Sequence, residues 1–229
     1  MTLINDFLSL IYPRYCEACD ALLYKHEQMI CTQCLLLLPK SNFHVSENNT
    51  VMKVLAGRVP LRHCACMYIF EKGGKVQQLL HHIKYEGQKE LAKKLGELLF
   101  EETRNSEIMV NTDVIVPVPL HAKKLALRGY NQSEWFARGI SAKSGKPAIT
   151  NELIRIKESS TQTRKHKFER WENVDGIFGI QKPEAFENKH ILLVDDVITT
   201  GATLEAVWQA LKHIPGTQVS AAAIAFAEK

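Results

Sequence analysis

Long apolar runs and glycine-rich nucleotide loops are both missing from this chain of 229 residues. No stretch approaches the roughly 18 consecutive apolar residues of a membrane-spanning helix, which argues against an integral membrane protein. No Gly-Lys-Ser/Thr follows a predicted strand, so a Walker P-loop is excluded, and the three-glycine dinucleotide fingerprint is absent as well. The chain also lacks internal repeats and low-complexity tracts, so we expect an ordinary globular fold.

A strong excess of one charge is also missing. The net charge of +4 does not by itself indicate a nucleic-acid partner. The chain is long enough for one full α/β domain and a small appendage. Leu3–Tyr12 has no basic region before it, so it predicts a short amphipathic helix and not a signal peptide. We therefore expect a cytoplasmic protein, in which cysteines are more often metal ligands or free thiols than disulfides.

Two Cys-x-x-Cys pairs lie near the N-terminus, Cys16 with Cys19 and Cys31 with Cys34, with eleven residues between the pairs. Each pair can place two thiolates on one tetrahedral ion, and together they complete a closed Cys₄ site of the zinc-ribbon kind. A segment of about fifty residues has too small a core to fold alone, and a structural Zn²⁺ would supply the missing stability. A redox pair is the alternative, and His63 is a possible further ligand.

The most informative run is residues 191–203, Ile-Leu-Leu-Val-Asp-Asp-Val-Ile-Thr-Thr-Gly-Ala-Thr. The four apolar residues predict a strand buried on both faces of a parallel sheet. Asp195 and Asp196 follow at its carboxyl end, where open α/β sheets bind their ligands. The hydroxyl-rich stretch Val197–Thr203 predicts a turn, and the apolar pattern of Leu204–Leu211 predicts a helix after it.

A strand, a hydroxyl-rich turn and a helix N-terminus together form a site for a phosphate group. Backbone N–H groups point outward there, the helix dipole favours an anion, and Thr199, Thr200 and Thr203 can donate further hydrogen bonds. The two carboxylates would repel a phosphate, so they suit a vicinal diol or the surroundings of a divalent cation. The sequence therefore predicts a sugar phosphate as ligand.

This run closely resembles the 5-phosphoribosyl-1-pyrophosphate (PRPP) signature of the type I phosphoribosyltransferases. The resemblance implies that Asp195 and Asp196 hold the ribose 2′- and 3′-hydroxyls, and that Mg²⁺ binds together with PRPP. It also implies a loop around the 5′-phosphate, made by Ile198, Thr199, Thr200, Gly201, Ala202 and Thr203. Thr199 stands where many hypoxanthine and guanine transferases have an aspartate, so that base preference loses support.

The remaining elements alternate between strands and helices, which predicts an α/β fold with a mostly parallel sheet and flanking helices. We expect strands at 66–71, 113–118, 152–156 and 217–227, and helices at 75–85, 88–103 and 131–142. Cys64 and Cys66 are predicted core residues of this first strand, whose start we place between His63 and Cys66. The polar stretch Ser41–Pro60 predicts a boundary between a zinc ribbon with its preceding helix, residues 1–55, and a PRPP-binding domain, residues 60–229.

Basic residues are concentrated in the half of the chain that holds the acidic pair. Leu120–Lys146 carries six basic residues against one acid, and Lys157–Arg170 carries five against two. A polyanionic ligand, either pyrophosphate or a nucleic-acid backbone, would explain the excess, and solvated helix faces are the alternative. The polar interval Ser159–Asn173 is either a closing lid or a surface loop.

Several further motifs, taken together with the cysteines and the acidic run, resemble the ComF family of phosphoribosyltransferase-like proteins linked to DNA uptake. They are Lys84-Tyr85-x-Gly87, Pro117-Val118-Pro119-Leu120, Arg128-Gly129-Tyr130-Asn131-Gln132, Gln162 and Asn173-Val174-x-Gly176-x-Phe178. The resemblance implies that Arg128 and Asn131 border the site and that Lys84 and Tyr85 form the loop on the pyrophosphate side. It also implies a flexible loop at Gln162–Arg170.

Three functions fit these residues. The first is a transferase that moves a phosphoribosyl group from PRPP to a nitrogen nucleophile, which would place the protein in nucleotide salvage. The second is a PRPP-binding or nucleotide-binding protein that handles single-stranded DNA, with Trp135, Phe136 and Trp171 as stacking or core residues. The third is a nucleotide-sensing regulator. The family resemblance favours the second, with other DNA-uptake proteins as further partners.

Overall fold

A computed structural model describes residues 12–46, 48–157 and 176–228. The predicted helix Leu3–Tyr12, apart from its last residue, lies outside the described residues. The predicted lid or surface loop Ser159–Asn173 lies outside them as well, and with it Gln162–Arg170, Trp171 and the start of the motif Asn173–Phe178.

The described helices and strands alternate along most of the chain. The helices are α1 (Thr32–Leu37), α2 (Thr50–Leu55), α3 (Lys75–Tyr85), α4 (Lys89–Thr103), α5 (Glu107–Asn111), α6 (Ala122–Arg128), α7 (Gln132–Ser144) and α8 (Ala202–Leu211). The strands are β1 (Leu61–Ile69), β2 (Val114–Pro117), β3 (Leu153–Arg155), β4 (Phe178–Ile180), β5 (His190–Ile198) and β6 (Gln218–Phe226).

Four strands form the central sheet in the order β1-β6-β5-β2, and every neighbouring pair is parallel. The two inner strands, β5 and β6, are almost entirely buried, as the apolar runs Ile191–Val194 and Ala221–Phe226 predict. The strands β3 and β4 pair antiparallel in a separate two-stranded sheet. The predicted α/β fold with a mostly parallel sheet and flanking helices is confirmed.

Helices cover both faces of the sheet. One face packs against α3, α4, α5 and α7, and the other packs against α2 and α8. The helices α4 and α7 approach so closely that a Cβ on Gly96 would lie 2.1 Å from the carbonyl oxygen of Phe136. A Cβ on Gly139 would lie 2.0 Å from the carbonyl oxygen of Lys93. Glycine at both positions therefore permits the contact that fixes α7 beside the sheet.

The cysteine-rich segment shares the first of these two cores. Cys16, Cys34 and Ile30 are buried in the same apolar cluster as α3 and α4. Side chains also tie the segment to α3, since Glu17 Oε2 lies 2.6 Å from Nδ1 of His82, and Gln78 donates to Asp20 over 2.8 Å. The predicted boundary between residues 1–55 and 60–229 stays a prediction, but the two parts do not have separate hydrophobic cores.

Strand β5 is longer than predicted, since it passes through Asp195 and Asp196, expected at its carboxyl end, and includes Val197 and Ile198, expected in the turn. It continues to Ile198 because β6 offers backbone partners as far as Phe226. The turn after it is correspondingly short, and α8 begins at Ala202, two residues earlier than expected. Pro117 belongs to β2, as the predicted strand 113–118 implies, and β2 lies at an edge of the sheet, where a missing N–H is tolerated.

Other boundaries differ by one to five residues. Strand β1 begins at Leu61 and ends at Ile69, earlier than the predicted 66–71, and α7 runs to Ser144. The short helices α1, α2, α5 and α6 were not predicted. Within the described residues, no helix combines the length and the apolar character that crossing a membrane requires.

Candidate functional site

The acidic pair at the end of β5 lies beside the N-terminal turn of α7. Oδ1 of Asp195 accepts a hydrogen bond from the hydroxyl of Ser133 at 3.2 Å and one from the backbone N–H of Asp196 at 2.8 Å. Both carboxylates are partly exposed at this edge of the sheet. They are therefore held in place by the protein and still open to a ligand.

The environment of Asp195 favours its neutral form. Burial raises the pKa of Asp195 to about 7, and the neighbouring carboxylate of Asp196 adds to the rise. The hydrogen bonds from Asp196 N–H and Ser133 and the charge of Lys84 oppose that rise. Because the pKa lies near neutrality, Asp195 can change its charge when a ligand or cation arrives.

Lys84 contacts the acidic pair directly. Its Nζ lies 3.1 Å from Oδ2 of Asp196, and both side chains are largely buried. We expected Lys84 and Tyr85 to form a loop, but they are the last two residues of α3, whose apolar face continues to Ile83. The chain leaves the helix only at Glu86. Lys84 therefore serves the acidic end of β5 from a rigid element.

Arg128 and Tyr85 form a second part of the same edge. The guanidinium carbon of Arg128 lies 5.6 Å from the ring centroid of Tyr85, and Arg128 also donates to Oε1 of Gln132 over 3.0 Å. Tyr85 is 65% exposed. Arg128 thus contacts Tyr85, and the next residue along the chain from Tyr85 towards the N-terminus, Lys84, contacts Asp196.

The motif from Arg128 to Gln132 joins α6 and α7 to the rest of the site. The hydroxyl of Tyr130 donates to the backbone carbonyl of Ile83, and burial raises the pKa of Tyr130 to about 12. Asn131 caps α7, and its amide also donates to the carbonyl of Val118 over 3.0 Å. Asn131 is therefore a structural residue at the edge of the site. Nε2 of Gln132 is buried and has no hydrogen-bond partner among the described residues.

The phosphate loop is shorter than predicted, because only three residues, Thr199–Gly201, separate β5 from α8. Thr199 and Thr200 are exposed, and Gly201 precedes α8 with a φ of 73°, in the left-handed region that favours glycine. The backbone N–H groups from Thr199 to Thr203 donate to no backbone carbonyl within the described residues. Free N–H groups at the start of a ten-residue helix form a binding site for an anion.

Four cysteines form a second candidate site. The Sγ atoms of Cys16, Cys19, Cys31 and Cys34 all lie within 4.8 Å of one another. The Sγ atoms of Cys19 and Cys31 are 3.8 Å apart, which equals the edge of a tetrahedron with Zn–S bonds of about 2.3 Å. Backbone N–H groups also donate to two of the sulfurs, from Cys31 to Cys16 and from Cys34 to Cys31. The cluster could hold one metal ion.

The predictions for the remaining two cysteines and for His63 have different outcomes. Cys64 and Cys66 are buried on β1 and belong to the core, as predicted. His63 does not belong to the cysteine cluster. Its Nε2 lies 3.5 Å from Glu107 instead, because β1 carries His63 to the start of α5.

Comparison with known proteins identifies the family. A model described as "Phosphoribosyl transferase domain" matches residues 84–229, which is more than half of the chain. The chain belongs to this family. The matched part includes the acidic pair, the phosphate loop and Arg128. It begins after the cysteine cluster, α2 and β1, so these elements lie outside the family's common domain.

Relatives of the chain carry names that refer to competence or to DNA utilization. The chain is 28% identical to Competence protein F of Haemophilus influenzae over 140 residues, which are 59% of this chain and 61% of that protein. It is 30% identical to DNA utilization protein YhgH of Salmonella typhi over 136 residues, 58% of this chain and 59% of that protein. It is 28% identical to Competence protein ComFC of Bacillus subtilis over 224 residues, 85% and 87% of the two chains. These similarities confirm the resemblance to the ComF family, although the first two alignments span only about three fifths of each relative.

Proposed function

We propose that this protein binds PRPP together with Mg²⁺ at the carboxyl ends of β5 and β2, and that it supports the handling of single-stranded DNA during DNA uptake in the cytoplasm. The observation that carries the PRPP part is the placement of Asp195 and Asp196 beside a short loop whose N–H groups donate to no backbone carbonyl in the described part of the chain. A diol and a phosphate on one sugar match these two neighbouring features.

We expect different residues of the site to bind different parts of PRPP. Asp195 and Asp196 accept the two ribose hydroxyls, and the loop Ile198–Thr203 surrounds the 5′-phosphate with N–H and hydroxyl donors. Lys84 contacts Asp196 and offsets part of the negative charge of the acidic pair. Arg128, beside Tyr85, adds positive charge on the side where the pyrophosphate would lie.

Mg²⁺ fits a ligand that brings its own oxygen donors. The acidic pair offers carboxylate oxygens at the edge of the site, and Mg²⁺ in proteins commonly combines one or two carboxylates with phosphate oxygens. When bound, the cation would neutralise part of the pyrophosphate charge. For the cysteine cluster we propose Zn²⁺, in a structural role, since four thiolates fill a tetrahedral site and leave no position for a reacting water.

The DNA part of the proposal is supported by the relatives' names and by α6. Two of the relatives are named for competence and for DNA utilization. Helix α6 buries none of its residues and exposes Lys123 and Lys124, and its last residue, Arg128, lies over the ring of Tyr85. No acidic residue occurs from Leu120 to Ser133. An exposed basic helix next to the exposed ring of Tyr85 suits a single strand, which binds by backbone charge and base stacking.

The decisive experiment pairs two titrations of the wild-type protein. We expect PRPP to bind with a strong Mg²⁺ dependence in calorimetry, and a short single-stranded oligonucleotide to bind with a strong salt dependence. Pyrophosphate release from PRPP is then followed across a panel of nucleobases and amines. Turnover on one base without DNA binding at low salt would replace our proposal with nucleotide salvage. Absence of PRPP binding would remove the proposal altogether.

A further inference from the structure

The proposed phosphate loop packs against α2, a helix outside the part of the chain that the family model matches. A Cβ added to Gly201 would lie 2.3 Å from Cδ2 of Leu55, which is fully buried. The loop therefore lies directly on the side chain of Leu55. This contact joins residues on either side of the predicted domain boundary.

Arg58, which follows α2, makes the polar part of the same contact. Its Nη1 donates to the backbone carbonyl of Thr200 over 2.8 Å, and its Nε donates to Oε2 of Glu205 over 3.1 Å. Thr200 belongs to the loop, and Glu205 lies in the first turn of α8. One guanidinium therefore links the loop to the helix whose N-terminus completes the phosphate site.

The bond to Thr200 fixes how the next peptide group is oriented. In a trans peptide the C=O and N–H bonds point in opposite directions, so a carbonyl held toward Arg58 directs the N–H of Gly201 away from it. That N–H is one of the donors without a backbone acceptor in the described residues. Holding the carbonyl therefore keeps an anion-binding donor pointed outward.

The support itself is firmly anchored. Asn49 caps α2, and its amide donates to the carbonyls of Phe43, Ser46 and Cys64. Cys64 belongs to β1, so α2 is fixed to the edge of the central sheet. Arg58 lies in the turn directly after α2, where its N–H donates to the carbonyl of Leu55 over 2.9 Å, so it is tied to an anchored helix, as a group that positions a loop must be.

We infer that Arg58 is a positioning residue for the 5′-phosphate: it holds the peptide between Thr200 and Gly201 in the orientation that binds the anion. This inference rests on the proposed function, because it assigns a support to the proposed phosphate loop. A stabilising ion pair is the competing explanation. The side chains of Arg58 and Glu205 are both 36% exposed, and exposed pairs contribute little to stability, so the two roles can be separated.

The test compares Arg58→Gln with Lys53→Gln, which removes a positive charge from an exposed position on α2. Calorimetry measures three ligands with Mg²⁺ present: PRPP, ribose 5-phosphate and inorganic pyrophosphate. For Arg58→Gln we expect a roughly tenfold weaker binding of the first two, which share the 5′-phosphate. Pyrophosphate affinity and the melting temperature should change little. Lys53→Gln should match wild type throughout.

Several results would overturn the inference while leaving PRPP binding intact. One is an unchanged affinity of Arg58→Gln for ribose 5-phosphate, and another is an equal loss of affinity for all three ligands, which would indicate a general disturbance. Arg58→Lys keeps the positive charge but lacks the planar guanidinium that reaches both acceptors. We therefore expect an intermediate loss of affinity for the two sugar phosphates. This variant takes the place of Arg58→Gln if the glutamine variant does not fold. Failure of the wild type to bind either phosphorylated sugar would instead overturn the proposed function.

Discussion

The ammonium group of Lys84 lies 3.1 Å from Oδ2 of Asp196 and joins the last turn of α3 to the acidic end of β5. The cysteine-rich segment is bound to the same helix through Glu17 and His82. The geometry at the proposed ribose subsite therefore depends on an element that begins outside the family's matched domain.

Replacing Lys84 by glutamine should weaken PRPP binding and shift its pH dependence. The positive charge of Lys84 lowers the pKa of Asp195, which burial and Asp196 otherwise raise to about 7. Without that charge, the pKa of Asp195 should rise further. The pH at which PRPP affinity reaches its full value should then rise by a similar amount. Calorimetry from pH 6 to pH 9 measures this shift, with Lys212→Gln at the far end of α8 as the control. An unchanged pH profile would contradict the coupling.

Asp195→Asn should stabilise the protein at high pH. The pKa of Asp195 rises from an ordinary 3.8 to about 7 on folding, so the folded protein binds an extra proton between these values. The stability this provides is complete below about pH 4 and is lost as the pH rises through 7. The amide cannot ionise, so at pH 8 we expect the variant to be more stable by about 1 kcal/mol, or roughly 2–4 °C in melting temperature. A lower melting temperature for the variant than for the wild type at pH 8 would show that the ionised carboxylate of Asp195 does not destabilise the folded protein.

Reversing Lys123 and Lys124 to glutamate should weaken single-stranded DNA binding and flatten its salt dependence. Each phosphate contact on a single strand contributes about 0.7 to the slope of log K against log salt, so loss of two contacts should reduce the slope by about 1.4. PRPP affinity should stay within about twofold, because Lys84 and the acidic pair provide that site. The matched control reverses two exposed lysines away from the carboxyl ends of the strands: Lys189, just before β5 begins, and Lys212, just after α8 ends. Equal effects of both pairs on DNA would argue against α6 as the DNA-contacting helix.

Removing the metal should destabilise the whole chain. The cysteine cluster shares its core with α3 and α4, so loss of the ion exposes apolar surface of both. We expect one zinc per chain by metal analysis, and a lower melting temperature after chelation or for Cys34→Ser. Cys66→Ala, a buried cysteine on β1, should keep its zinc. Freshly purified, reduced protein without zinc would contradict the assignment.

Sequence patterns predicted the fold where burial imposes a period. Val76, Leu79, Leu80 and Ile83 have helix spacing, all four are buried, and α3 has the predicted bounds. The carboxyl end of β5 was missed because two carboxylates interrupt its apolar run, and its continuation depends on the partners that β6 provides. Helix α6 buries no side chain and therefore leaves no apolar period to detect.

The candidate site was predictable only in part, for a similar reason. The acidic pair, the hydroxyl loop and the cysteine pairs are contiguous motifs, and the sequence alone indicated them. The contacts of Arg58 with Thr200 and Glu205 span 142 and 147 residues, and no local pattern marks them. The same holds for Ser133 and Asp195, since only the packing of α7 beside the sheet brings them together. The ligand-binding motifs of the site can thus be read from the sequence, whereas the contacts that hold them in place are visible only in the tertiary structure.

The most direct measurement of the central claim is PRPP binding by the double variant Asp195→Asn with Asp196→Asn. Calorimetry with Mg²⁺ should show PRPP binding to the wild type and a loss of at least about a hundredfold in the variant, because both diol acceptors lose their charge. Circular dichroism and the melting temperature should show that the variant remains folded. An unchanged PRPP affinity in the folded double variant would contradict the assignment of the acidic pair as the ribose subsite.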